Sequence, residues 1–165
     1  MPAIEAGKEA PAFQLPLMEG GVFSLADALT QGPVVLAFFK ISCPVCQFTL
    51  PYLERIYQAT IGKKVAIVGI SQNSKADTAA FTRQYKITVP IALDDIRNYP
   101  VSNSYGLTNV PTLFYIAQDR EIEISSVGWS KSDVEKLAHS ISEYARMEKI
   151  TVIRPGEQVP GFTAG

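Results

Sequence analysis

The chain has 165 residues, of which 47% are hydrophobic, so it is long enough for one well-buried core and too short for two sizeable domains. Fifteen Lys and Arg residues against sixteen Asp and Glu residues give a formal net charge of −1, without a dense basic cluster. This balance excludes nucleic acid as an expected partner.

The first strong structural signal is the apolar run Val34–Phe39, which is rich in β-branched and aromatic residues. Its length and composition predict a strand that is buried on both faces of a sheet. From Val45 to Tyr57 the larger apolar residues recur near the helical period of about 3.6 residues, which predicts a helix with one buried face. Cys43 and Cys46, the only cysteines, lie at C-x-x-C spacing where this strand gives way to this helix.

This junction gives the two cysteines different chemistry. Unpaired backbone N–H groups and the positive end of the helix dipole face Cys43 and stabilise a thiolate there. Cys46 lies one helical turn further on, close enough to attack a sulfur atom that is bonded to Cys43. The spacing therefore predicts a redox-active dithiol in which Cys43 attacks and Cys46 resolves.

Three other interpretations of the cysteine pair are weaker. A structural zinc site needs about four ligands, whereas the chain offers two cysteines and one histidine. A structural disulfide over so short a loop would constrain the unfolded chain little, and ordinary buried cysteines need not fall at a strand-to-helix junction. We therefore expect no metal and no other cofactor.

The pattern after the first helix alternates between apolar runs and helical periodicity, and it ends in a hairpin and a helix. Ser74 is expected to begin a helix that ends at Tyr85. Ser132 and Glu135 have capping-box spacing at the start of the last helix. Parallel strands joined by helices predict an α/β sandwich. The other predicted elements are strands at Lys64–Ile70 and Val89–Leu93, a short turn or helix at Pro100–Tyr105, and a hairpin formed by Thr112–Ile116 and Ile122–Val127.

The order of these elements resembles the thioredoxin-like superfamily over most of the chain. The dithiol opens the first helix, Pro51 follows Cys43 by eight residues inside it, and Val110-Pro111-Thr112 leads into a hairpin strand. The N-terminal segment Gly7–Phe13 with its expected hairpin, and the additional helix and strand from Ser74 to Leu93, are most similar to the redoxin branch. This branch includes proteins of the TlpA and ResA type and the AhpC/TSA-like proteins.

The resemblance implies a three-layer α/β sandwich of the thioredoxin-like type. A central mixed sheet with flanking helices is expected, together with an N-terminal hairpin and an extra inserted helix and strand. Residues 1–149 would form this domain and residues 150–165 an extended tail, whose two prolines and three glycines disfavour regular structure. In the tail, Gly156–Phe162 repeats the spacing of Gly7–Phe13, either by chance or as the start of a second redoxin domain.

The resemblance also implies roles for individual residues. It makes Cys43 the attacking thiol, Cys46 the resolving thiol, and Pro111 a cis-proline that lies against the dithiol. Gly128 resembles a glycine that thioredoxins place near the surface that binds the partner. The alternative at Pro111 is a trans-proline that begins an edge strand. The alternative at Gly128 is a plain turn that leads into a helix. The residues expected to contact substrate are Pro44, Val45, Val110, Pro111 and Gly128.

Two positions depart from the usual pattern of the superfamily, and a third residue, Lys40, bears on the reactivity of the dithiol. Ala37 stands where thioredoxins carry a buried aspartate that handles the proton of the resolving thiol. Ser42 stands where many relatives have tryptophan, which removes an aromatic wall from the surface that faces the partner. Lys40 is either a candidate for electrostatic tuning of the dithiol or a solvated residue at a strand end.

The expected function is thiol–disulfide exchange with a disulfide-bearing protein or small-thiol partner and an electron donor of unknown identity. A thiol-dependent peroxidase that uses the same dithiol is the first alternative. The peroxidatic Pro-x-x-x-Thr-x-x-Cys pattern is absent, because alignment on Cys46 places Phe39 at the proline and Cys43 at the threonine. A redox-sensing binding module, which switches affinity without turnover, is the second alternative.

The sequence also carries information on location. The chain begins without the basic and apolar regions of a secretory signal, and no stretch approaches the roughly 18 apolar residues of a membrane-spanning helix. We therefore expect no membrane partner and a cytoplasmic location, where a C-x-x-C pair is kept mostly reduced. The alternative is an exported protein whose leader is not included in this sequence.

Overall fold

A five-stranded mixed sheet forms the centre of the computed structural model, which describes residues 2–165. Within these residues, no helix is long and apolar enough to cross a membrane. In chain order the elements are β1 (Gln14–Pro16), β2 (Val22–Ser24), α1 (Leu25–Leu29), β3 (Val34–Phe39), α2 (Pro44–Ala59), β4 (Ala66–Ser71), α3 (Lys75–Tyr85), β5 (Ile91–Leu93), α4 (Pro100–Ser104), β6 (Thr112–Ile116), β7 (Ile122–Val127), β8 (Trp129–Ser130), α5 (Lys131–Ala145) and β9 (Phe162–Thr163).

The strands of the central sheet lie in the order β5-β4-β3-β6-β7. Strands β3, β4 and β5 run parallel to one another, whereas β6 is antiparallel to both β3 and β7. The register of the middle strand β3 is fixed on both sides, with Ala37 opposite Gly69 of β4 and Leu113 of β6. The chain leaves β3 at the carboxyl end of the parallel strands, and Cys43 follows there.

Strand β3 is buried on both faces, as its composition predicts. All six of its residues are buried, and alternate side chains enter the two halves of the core. Val35, Ala37 and Phe39 pack with residues of α2, α3 and α5, and the other three pack with the N-terminal hairpin, α1 and α4. Helices therefore cover both faces of the sheet, which confirms the α/β sandwich with a central mixed sheet.

The N-terminal hairpin and the inserted helix and strand are also present as predicted. Strands β1 and β2 pair antiparallel and form the hairpin. The hairpin reaches the edge of the central sheet, where the Met18 backbone N–H donates to the Ile91 carbonyl oxygen at 2.8 Å and Leu17 forms a bridge to Ala92. It thus covers the edge strand β5, whose backbone groups would otherwise be open to pairing with another chain.

Of the two helix starts predicted from serine residues, one is confirmed and one is wrong. The Ser74 hydroxyl accepts the backbone N–H of Asp77 at 3.2 Å and caps α3. The last helix, α5, is capped by Ser130 instead of Ser132, because the extended backbone at Ser130 lets its hydroxyl accept the Asp133 N–H. Ser130 and Asp133 have the same three-residue spacing as Ser132 and Glu135, so spacing does not distinguish the two caps. The prediction from Ser132 therefore places the start of α5 two residues too late.

Residues 150–165 turn back and pack against the rest of the chain. Ile150 and Val152 are buried in the half of the core that includes α2. The Arg55 guanidinium of α2 donates to both carboxylate oxygens of Glu157, at 2.6 and 2.8 Å. Further on, β9 pairs antiparallel with β8. The segment is therefore held at three successive places, by the core, by α2 and by β8.

Asp94, which follows β5, carries a buried carboxylate, with 3% of the residue exposed. This carboxylate accepts the backbone N–H groups of Asp95, Val101 and Ser102 and the Ser102 hydroxyl, at 2.7 to 3.2 Å. Hydrogen bonds of this kind compensate for the removal of a charge from water. Asp94 therefore fixes the start of α4 and, with it, the chain segment that leads towards Val110.

We expect Asp94→Ala to lower the free energy of unfolding by about 3 kcal/mol, because it leaves buried N–H groups without an acceptor. Asp94→Asn retains one acceptor oxygen and should lose less. The control is Asp95→Ala, since Asp95 pairs with Arg97 at the surface, where ion pairs contribute little. Urea unfolding curves measure all three variants. Equal losses for Asp94→Ala and Asp95→Ala would contradict this role of Asp94.

Candidate active site

Cys43 is the N-cap residue of α2, and its sulfur atom is the capping group. The Cys43 Sγ accepts the backbone N–H of Cys46 at 3.2 Å. As a donor, the Cys43 thiol points to the Val110 carbonyl oxygen at 3.4 Å. Pro44 occupies the first position of the helix, where its missing N–H costs no hydrogen bond. The local sequence thus places this sulfur beside the positive end of the helix dipole.

Cys46 lies one turn further along α2 and is fully buried. Burial raises the pKa of its thiol, and the hydrogen bond with Cys43 raises the pKa further. Lys40 opposes this rise through a backbone hydrogen bond and through its charge, but it does not cancel it. Ala37 is buried in the same half of the core, and among the described residues no carboxylate contributes to the shift. The Cys46 thiol is therefore kept protonated and away from solvent.

Access from solvent distinguishes the two thiols. Cys43 is half-buried, and its neighbours Ser42 and Pro44 are exposed, so the Cys43 side of the dithiol is open. Val45 is half-buried, and Cys46 behind it faces the core. A sulfur atom of a partner therefore meets Cys43 first.

The predicted substrate-contacting residues come together around the dithiol. Pro44 and Val45 lie between the two cysteines, and Val110 contacts Cys43 from the loop before β6. The Val110–Pro111 peptide bond is cis, as the resemblance implies. The Gly128 backbone N–H donates to the Pro111 carbonyl oxygen at 2.8 Å. Gly128 has a φ of +77°, a conformation that favours glycine, and it joins β7 to β8 instead of leading directly into α5.

A segment outside the predicted site covers part of it; we call residues 161–165 the C-terminal strap. The Asn109 side-chain amide donates to the Gly165 carbonyl oxygen at 3.2 Å, and a Cβ on Gly165 would collide with the Val110 carbonyl oxygen. A Cβ on Gly128 would lie 2.6 Å from a carbonyl oxygen of the strap. The strap therefore lies over the cis-peptide loop and its neighbour. A strand of two residues leaves no periodic pattern in a sequence, so this contact was not predictable.

A pocket of about 190 Å³ lies beside the Val110 loop, whose carbonyl oxygen contacts Cys43; neither cysteine lines the pocket. Lys40 contributes the only charged side chain among the described residues that line it. Its wall is held in place from behind, because the Gln72 side-chain amide donates to the Ser102 hydroxyl at 2.9 Å and that hydroxyl donates to Asp94. The strap does not line this pocket.

Comparison with known proteins gives a consistent picture. Residues 6–125 match the AhpC/TSA family. The chain is 30% identical over 150 residues to the thiol-disulfide oxidoreductase ResA of Bacillus cereus, covering 90% of this chain and 80% of that protein. It is 29% identical over 141 residues to ResA of Geobacillus thermodenitrificans, covering 84% and 79%.

A solved structure with a similar fold is the thioredoxin domain of a thiol-disulfide oxidoreductase from Bacteroides vulgatus. The two chains superpose with a TM-score of 0.74 at 21% identity, over 87% of this chain and 99% of that domain. At this sequence identity, the superposition supports the fold alone. The three-layer sandwich is therefore of the thioredoxin-like type, as the resemblance implies.

We expect brief treatment with iodoacetamide at neutral pH to label Cys43 before Cys46. The Cys43 sulfur is partly exposed, whereas burial both raises the pKa of the Cys46 thiol and blocks its access. Peptide mass spectrometry measures the labelling of each cysteine, and urea-unfolded protein, in which both should react alike, is the control. Equal labelling in the folded protein, or preference for Cys46, would remove Cys43 as the attacking thiol.

Proposed function

The chain belongs to the AhpC/TSA family and is a thiol–disulfide oxidoreductase, and we propose that Cys43 and Cys46 perform its exchange as attacking and resolving thiols. One observation carries this assignment: the Cys43 sulfur caps α2 and is partly exposed, while Cys46 is buried one turn behind it. A helix N-terminus favours negative charge on the capping atom. The exposed sulfur is therefore the better nucleophile, and the buried one is protected until a disulfide is brought to it.

Exchange proceeds in two steps. The Cys43 thiolate attacks one sulfur of a disulfide, forms a mixed disulfide and releases the other sulfur as a thiolate. The Cys46 sulfur then attacks the Cys43 sulfur, which closes the intramolecular disulfide and releases the second half of the substrate. The hydrogen bond from the Cys46 N–H to the Cys43 Sγ supports the second step, since it keeps the two residues within one helical turn.

The substrates are thiol- or disulfide-bearing molecules, and an electron donor reduces the dithiol again. We assign the protein to the cytoplasm, where such a pair is kept mostly reduced. Both cysteines belong to the dithiol, which leaves no cysteine for the structural disulfides common in exported domains. Export is the alternative, and cell fractionation followed by immunoblotting distinguishes the two locations.

The two alternative functions have less support. A peroxidase would need groups that orient a peroxide, but Phe39 and Cys43 occupy the positions of the peroxidatic proline and threonine. A redox-sensing module would change its affinity for a partner without turning over. Continuous reduction of a disulfide substrate with dithiothreitol as electron donor separates this possibility from an enzyme.

We expect Cys46→Ser to accumulate mixed disulfides through Cys43, because the attacking thiolate is intact and the thiol that would release it is gone. The matched variant Cys43→Ser should trap few or none, since the remaining sulfur is buried. Non-reducing gels of a lysate treated with each variant, followed by mass spectrometry, measure the adducts. If both variants trap partners equally, or neither traps any while the native protein still reduces disulfides, the two roles are wrong.

Reaction with hydrogen peroxide should be slow, because the positions that orient the O–O bond in peroxidases carry other residues. The second-order rate constant should fall well below about 10⁴ M⁻¹s⁻¹, the lower end of enzymatic efficiency. Stopped-flow measurement on the pre-reduced protein, with Cys43→Ser as the blank, gives this constant. A value inside the enzymatic range would favour the peroxidase.

A further inference from the structure

The surface that an extended polypeptide would use beside the dithiol is already occupied. A polypeptide substrate adds to a free strand edge through main-chain hydrogen bonds, and the edge nearest Cys43 is the loop of Val110. The Asn109 side chain binds the Gly165 carbonyl oxygen there, and Gly165 packs against the Val110 carbonyl oxygen. A polypeptide must displace the strap before it can lie along this edge.

The strap is held mainly by backbone contacts. The Lys131 N–H donates to the Gly161 carbonyl oxygen at 2.9 Å, and β8 pairs with β9. The Trp129 indole N–H donates to the Pro160 carbonyl oxygen at 2.7 Å just before the strap begins, and the Arg55–Glu157 pair holds the preceding turn. All five strap residues are exposed, so nothing covers the strap in turn. Its position is therefore set by its backbone pairing.

Next to the covered edge, the pocket at Lys40 is open. Its volume of about 190 Å³ is several times the roughly 30 Å³ of one water in the liquid. It therefore has room for the end group of a small molecule. Val110 lines this pocket and its carbonyl oxygen lies 3.4 Å from the Cys43 sulfur, so a small molecule that extends from the pocket past Val110 can bring a sulfur to the attacking thiol.

The chemistry of the pocket favours a negatively charged group. Lys40 is exposed and supplies its charge, and the other residues of the described lining carry amide, hydroxyl and apolar side chains, with no side-chain carboxylate. The nearest acid behind the wall, Asp94, is engaged with donors of its own and does not line the pocket. An ammonium group facing uncharged donors binds carboxylates.

Resting on the proposed function, we propose that the preferred substrate is a small disulfide that carries a carboxylate. Lys40 binds that carboxylate, while the strap keeps extended polypeptides from the Val110 edge. In the reaction, the Cys43 thiolate attacks one sulfur of the small disulfide and releases one thiolate. Cys46 then attacks the mixed disulfide, and its proton leaves on the second released thiol. The dithiol is oxidised by two electrons, and one disulfide becomes two thiols.

The test uses the pre-reduced 165-residue protein in single turnover with three probes. Oxidised glutathione is small and anionic, bis(2-hydroxyethyl) disulfide is small and neutral, and insulin is a polypeptide. Acid quenching and mass spectrometry measure the rate at which the Cys43–Cys46 disulfide forms. Rates are compared as ratios to the neutral probe, which cancels any change in the intrinsic reactivity of the thiols.

Lys40→Gln should lower the ratio of the oxidised glutathione rate to the neutral rate by about fivefold, the effect of losing one solvent-accessible ion pair. Lys40→Arg, which keeps the charge, should restore the ratio. If Lys40→Gln leaves the ratio unchanged and slows both probes alike, Lys40 tunes the dithiol and does not bind the substrate. That result would overturn the proposal.

The strap is tested by replacing Phe162 and Thr163 together with proline, which cannot donate to a strand ladder, and with alanine as the matched control. The proline variant should raise the ratio of the insulin rate to the neutral rate by about tenfold, equivalent to the loss of one or two hydrogen bonds. The alanine variant should keep the native ratio. Circular dichroism checks that both variants are folded.

The native protein and the proline variant together decide the rest. Oxidation by insulin as fast as by oxidised glutathione, or no rise in the proline variant, would overturn the role of the strap. If none of the three disulfides oxidises a protein whose thiols are still titratable, the proposed function itself is wrong. That outcome differs from one in which only this inference fails, because the dithiol then still reacts with at least one probe.

Discussion

The sulfur of Cys43 has two roles, because it caps helix α2 and is also the atom placed to react. Its hydrogen bond from the Cys46 N–H fixes the helix start and sets the distance between the two thiols in a single contact. The Val110 carbonyl oxygen contacts the same sulfur at 3.4 Å. Cap, resolving thiol and substrate-facing loop are therefore arranged around one atom, and a shift of the helix start would displace all three.

That arrangement depends on the burial of β3. Every residue of this strand is buried between layers of helices, so its carboxyl end is held rigidly. This also fixes the position of the turn that leads to α2. The same core surrounds Cys46, and burial raises the pKa of that thiol. Ala37 adds no carboxylate to this part of the core. The difference between an open and a protected thiol thus follows from where the sheet ends.

The C-terminal segment shows how the rest of the chain restricts this site. Arg55 lies on α2, the helix that carries the dithiol, and holds Glu157, so the segment is tied to the active helix before it crosses to β8. The strap then comes to rest on the loop of Val110 and beside Gly128. The loop of Val110, which contacts Cys43, is covered by the chain's own backbone on one side and lines the pocket at Lys40 on another. In the proposed mechanism, the strap and the pocket at Lys40 select between substrates together with the thiols.

Local patterns in the sequence determined the strand Val34–Phe39, the helix that follows it and the dithiol between them, because hydrophobic periodicity and cysteine spacing are properties of neighbouring residues. The cis bond before Pro111 followed from the family resemblance and not from composition. Where local signals compete, as between Ser130 and Ser132, they misplaced an element. The strap, the pocket at Lys40 and the buried carboxylate of Asp94 were decided by the tertiary structure alone. Each depends on contacts between residues far apart in the chain, such as Asn109 with Gly165, and no spacing rule records such pairs before the chain has folded.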